Sequence, residues 1–155
     1  MTAKSRYDAL VGYRSEYLSQ ADTAARLTLP YFIRDEEQFR GGTHDLKTPW
    51  QSVGAKGVVT LASKLMLALM PVNTSFFKLQ MDESQVGEEI PPEVKSELDL
   101  SFAKIERTIM EAIAASDDRV TIHQALKHLV VAGNALIFMG KNGLKLFPLN
   151  SFVID

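Results

Sequence analysis

Three imidazoles, a run of carboxylates and one glycine–lysine turn are the groups in this chain that could do chemistry. His44, His123 and His128 are its histidines. A metal pair on a helix needs imidazoles at i and i+4; His123 and His128 are five apart, about 140° around a helix, and do not converge. Gln124 and Lys127 beside them predict that both sit on a polar, solvated face, with His44 in a loop. Glu88, Glu89, Glu93 and Glu97 could pair as acid and base or hold a cation, but they flank a proline-bearing loop without calcium-loop spacing, and such runs are usually solvated. The stretch "GAKG" at 54–57 lacks the G-x-x-x-x-G-K-[ST] frame and the preceding strand of a phosphate cradle, so Gly54 and Gly57 read as points of close backbone approach. Tyr7, Tyr13 and Tyr17 with Arg6 and Arg14 could stack on bases, yet at mixed helical spacing they more simply cover a core edge. The chain has no cysteine and no G-x-S-x-G elbow, which removes thiolate nucleophiles, disulfides, zinc–thiolate sites and the hydrolase serine turn. No catalytic, metal-binding or cofactor-binding residue is nominated, and no cofactor is expected.

The elements that carry these groups follow from periodicity and punctuation. Leu10, Tyr13, Tyr17, Ala21 and Ala24 recur at three- and four-residue spacing, which predicts one helix over residues 5–27, stopped by Pro30. Residues 31–47 are polar, and "GGTHD" at 41–45 reads as the mobile tip of a surface loop. Thr48, Pro49 and Gln51 have the spacing of a capping box with proline at the first helical position, so the next helix is expected to open there and to end at Pro71. Along it Lys56, Thr60, Ser63 and Lys64 form a polar stripe, opposite Val58, Leu61, Ala62, Leu65, Met66 and Leu69. Leu67 and Met70 stand where that stripe would continue. The end of the helix is therefore apolar all round and must be covered on every side.

Beyond it, "SFFKLQM" at 75–81 alternates as a half-buried strand would, and an acidic loop over 82–89 leads to Pro92. From Pro92 a helix of about 22 residues places Val94, Leu98, Phe102, Ile105, Ile109 and Ile113 on one face, with Glu93 near its positive end. Thr121 and Gln124 repeat the capping-box spacing before a short helix whose inward face is Ile122, Ala125, Leu126, Leu129 and Val130, closed by Gly133. Asn142-Gly143 predicts a β-hairpin over 134–147, and "SFVID" reads as the start of another strand. That strand lacks a turn, cap or polar tail at its end, as a fragment would. The fold class is α+β and helix-rich, several helices with a small antiparallel β component. It is one module over 1–155, an N-terminal helix and loop over 1–47 joined to a helical core over 48–155.

Composition narrows the function classes. With 155 residues, 46% of them hydrophobic and 23% charged, the chain can bury a core. Residues 1–79 hold ten Lys and Arg against seven Asp and Glu, residues 80–118 three against eleven, and residues 119–155 four against one. This mixed pattern is not the clustered basic patch of a nucleic-acid reader. The N-terminus has no apolar signal segment, which predicts cytoplasmic synthesis. Lys64, Pro71 and Asn73 interrupt the longest greasy run well short of the roughly 20 apolar residues of a membrane span. No internal repeat or low-complexity tract is present.

The stretches "TPWQSVGAKGVVTLASKLMLALMP" (48–71) and "RVTIHQALKHLVVAGNALIFM" (119–139), followed by "FPLNSFVID", resemble the N-terminal region of the portal proteins, or head-to-tail connectors, of short-tailed podoviruses such as the T-odd coliphages. The resemblance covers most of residues 45–155; residues 1–44 match mainly in helical, Arg- and Tyr-containing character. It implies a structural protein of the virion, assembled in the host bacterial cytoplasm as a ring usually of twelve copies at one capsid vertex. Double-stranded DNA passes through such a ring in packaging and ejection, and capsid protein, terminase and tail adaptor dock on it. Family chains are much longer, and this stretch corresponds to the peripheral wing. Within that frame Trp50, Leu65, Leu67 and Met70 are the residues expected to pack against other segments or a neighbouring subunit. The competing class is a helical adaptor or a small enzyme with an unrecognised site.

Overall fold

The computed structural model describes residues 2–33, 49, 51–72, 74–81, 91–141 and 143–154. The helix expected over 5–27 is two: α1, Ala3–Tyr13, and α2, Ser15–Leu27. The break falls at Arg14, which stays in the right-handed region at φ −92° and ψ −3° but turns its N–H to Val11 O, three residues back, at 3.2 Å. Gly12 weakens the helix just before this point. The Arg14 guanidinium then reaches the carbonyls of Phe152 and Leu149, so a distant segment holds the kink.

The next helix, α3 (Val53–Leu69), starts later than expected. Pro49 lies outside it, Ser52 occupies the cap position without a side-chain bond, and Thr48 lies outside the described residues. A tertiary contact marks the start: a β-carbon at Gly54 would come within 2.6 Å of Leu27 O, so the first turn of α3 lies directly against the end of α2. Gly54 is thus the close-approach glycine that its sequence context predicts. Gly57 is not, because among the described residues nothing lies within 4 Å of its would-be β-carbon. At the other end Pro71 terminates the helix as expected, and Arg119 Nη2 donates to Met70 O at 2.7 Å.

Residues 75–81 form no strand. Their alternation is nevertheless present in the burial, with Phe77, Leu79 and Met81 half-buried and Phe76, Lys78 and Gln80 exposed. The partner is a helix, α4 (Pro92–Ala115), and Leu79 N–H donates to Glu106 Oε1 at 2.5 Å instead of entering a ladder. α4 has Pro92 and Glu93 in its first turn as predicted, and its 24 residues make it the longest of the described helices. It is covered on one flank. Leu98, Phe102 and Ile113 are half-buried, whereas Val94, Ile105 and Ile109 are exposed.

Helix α5, Asp118–Ala132, begins three residues before the predicted cap at Thr121. Asp118 N–H donates to Ser116 Oγ, and Thr121, already inside the helix, directs its hydroxyl to the carbonyls of Asp117 and Leu144. Gly133 closes α5 in the left-handed region at φ 73°, its N–H on Leu129 O, as glycine at this position allows. The hairpin follows as β1 (Leu136–Gly140) and β2 (Gly143–Phe147), antiparallel with Leu136 opposite Phe147 and Gly140 opposite Gly143. Asn142 lies outside the described residues. A 3-10 turn at Leu149–Ser151 and extended backbone at Phe152 replace the expected last strand.

α5 runs past three apolar clusters. Leu126 joins Ala62, Met66 and Met70; Val130 and Val131 flank Leu29, Phe32 and Val58; Ala132 joins Ala21 and Leu149. Small residues recur in these clusters as Ala21, Ala62 and Ala132, Ala25 and Ala125 are buried too, and their size lets helix backbones approach closely. Among the described residues, helices with one two-stranded antiparallel sheet make the class α+β, as expected.

Candidate interaction surface

The four residues expected at a packing surface separate in the structure. Met70 is buried against Ala62, Met66 and Leu126, and Leu65 packs half-buried on the same cluster. Both belong to the core of this chain. Leu67 is 60% exposed, and Trp50 lies outside the described residues. The buried stripe of α3 and its C-cap is the four-residue ridge Val58, Ala62, Met66 and Met70, narrower than the periodicity suggested, because it is covered by α5 along its length and by Leu29 and Phe32 at Val58. Leu61 and Leu69, predicted to face inward, are exposed, as are Val72 and Phe76 just beyond. The end of α3 thus presents Leu67 and Leu69 to solvent although Met66 and Met70 are already satisfied.

The histidines are placed differently from the expectation of solvated rings. His128 is buried and stacks on Phe32 with ring centroids 4.3 Å apart and planes at 19°. Burial holds its pKa below the ordinary 6.5, because the charged form would lose its hydration. His123 is half-buried with Nε2 3.3 Å from Ser63 Oγ; burial, and then the Lys127 ammonium, lower its pKa. The inward face of α5 keeps the predicted Ala125 and Leu126, with Ile122 and Val130 half-buried, but His128 is inside and Leu129 is exposed. A signal for this was present in the chain, since Ala125 and Ala132 stand three residues before and four after His128 and both are buried. His44, Glu88 and Glu89 lie outside the described residues, and Glu93 and Glu97 are exposed on α4.

The aromatic and basic pairs of α1 and α2 are partly used internally. Tyr17 donates its hydroxyl proton to Ala132 O and accepts from Asn134 Nδ2 at 2.8 Å, which ties α2 to the end of α5. The Arg14 guanidinium lies 5.2 Å from the centre of the Phe152 ring. Tyr17 covers a core edge as expected. Tyr13, 86% exposed, and Tyr7 do not.

Two polar residues that the sequence reading did not single out organise the other end of α5. Asp118 accepts Leu144 N–H on Oδ1 at 2.8 Å and the Ser116 hydroxyl on Oδ2 at 3.0 Å, while Arg119 caps α3. Consecutive residues therefore hold the hairpin and the end of α3. A groove of about 840 Å³ between residues 78–81 and α4 mixes Lys78 and Asp99 with Leu98 and Phe102 and gathers no nucleophile–base pair. Among the described residues no three His, Asp or Glu side chains group as metal ligands, and no helix is long and apolar enough to cross a membrane.

The whole chain, residues 1–155, matches the model of the family described as bacteriophage head to tail connecting protein. It is 38% identical over 159 residues to the portal protein of Enterobacteria phage T3 and 38% identical over 161 residues to that of Escherichia phage T7, covering 99% of this chain and 29% of each relative. To the portal protein of Enterobacteria phage SP6 it is 34% identical over 146 residues, 92% of this chain and 27% of that protein. The chain spans less than a third of the length of these curated relatives.

Proposed function

The chain belongs to the bacteriophage head to tail connecting protein family, and on that premise we propose that it serves as the wing region of a portal subunit, one module within a much longer protein. Copies of that protein close into a ring, usually of twelve, at one vertex of the capsid. The ring forms the passage for double-stranded DNA in packaging and ejection and docks capsid protein, terminase and tail adaptor. The role is structural, without turnover, in the virion after assembly in the host cytoplasm. The whole-chain family match carries the reading.

The exposed end of α3 gives the proposal its physical content. Leu67 and Leu69 are more than half exposed beside a satisfied core, and hiding what remains of one leucine is worth about 1–2 kcal/mol. A contact that closes a ring head to tail buries a different patch on each partner. Covering Leu67 in the assembled ring, by a neighbouring copy or another segment of the subunit, meets that requirement. Trp50 is assigned to the same packing role, while Leu65 and Met70 support it from beneath. Electron microscopy of the full-length protein should show large closed rings, and Leu67→Asp should impair their formation without unfolding the subunit. A full-length protein that stays a monomer or dimer and turns over a substrate would instead be the adaptor or enzyme, and unaltered rings from the Leu67→Asp protein would remove Leu67 from the interface.

A further inference from the structure

We draw no further inference here: the strongest candidate, the open apolar stripe of α4 formed by Val94, Ile105 and Ile109, is an unpartnered helix face, and nothing in the structure shows what covers it.

Discussion

The carboxylate of Asp118 stands 2.9 Å from where a β-carbon on Gly143 would be, and it accepts the N–H of the following residue, Leu144. Gly143 also has φ 103°, a backbone conformation that side-chain-bearing residues rarely adopt. The first turn of α5 and the start of β2 are therefore fitted to each other at a point where a methyl group would displace the carboxylate.

Replacing Gly143 with alanine should destabilise the chain by about 1–3 kcal/mol, through the strained φ and the displaced carboxylate. Asp118→Ala should cost about 1.5–3 kcal/mol by removing a charged acceptor, and Asp118→Asn, which keeps an acceptor oxygen, should cost less. Chemical denaturation of the three variants checks the order. Equal losses for the alanine and asparagine variants at position 118 would mean that the bond to Leu144 carries no weight.

The two glycines near the start of α3 should respond with opposite signs. Gly54→Ala places a methyl 2.6 Å from Leu27 O, and because the obstacle is backbone the helices must separate, at about 1–3 kcal/mol. Gly57→Ala meets none of the described residues within 4 Å and should stabilise by about 0.5–1 kcal/mol, the helix-propensity difference. Thermal melts of both proteins, side by side, check the opposite signs, and a Gly54→Ala protein as stable as the parent would contradict the close approach.

Leu149 and Leu67 should divide stability from assembly. Leu149 is 1% exposed, so Leu149→Ala should cost about 2–5 kcal/mol. Leu67→Ala should change the stability of the 155-residue chain by less than about 0.5 kcal/mol, as a surface position does. In the full-length protein the same change should weaken ring formation, measured by sedimentation, while the subunit stays folded. A large loss of stability from Leu67→Ala in the isolated chain would contradict its exposure.

Acid should find His128. Its folded pKa lies below the unfolded value of 6.5, so above that pH the ring is neutral in both states and contributes no pH dependence. As pH falls through 6.5 the unfolded chain takes up the proton first, and stability drops until the folded pKa is reached. His123 acts in the same direction. The loss of stability between pH 7.5 and 5.5, measured by denaturant titration, should be smaller in His128→Leu than in the parent. An identical loss in both would exclude His128 as a source of it.

What the sequence determined by itself was local or lay in long motifs. Pro71, Pro92 and Gly133 mark helix ends because each acts on the backbone within a turn of its own position, and the pairing of residues 136–140 with 143–147 follows from the same short-range chemistry. The two motifs carried the family, which the whole-chain match bears out. Periodicity also revealed that residues 75–81 alternate, but not that their partner is α4 rather than a strand.

Tertiary structure decided which apolar residues count as interior. Met70 and Leu67 are both greasy, three residues apart, and only the placement of α5 buries the first and leaves the second exposed. The kink at Arg14 depends on carbonyls of residues 149 and 152, the start of α3 on the carbonyl of Leu27, and the burial of His128 on the ring of Phe32. Each is a contact between segments far apart in the chain, made by a backbone oxygen or a ring face that leaves no period in the sequence. Helix ends are set by covalent geometry a few bonds away, whereas the side that a helix buries is set by whatever packs against it.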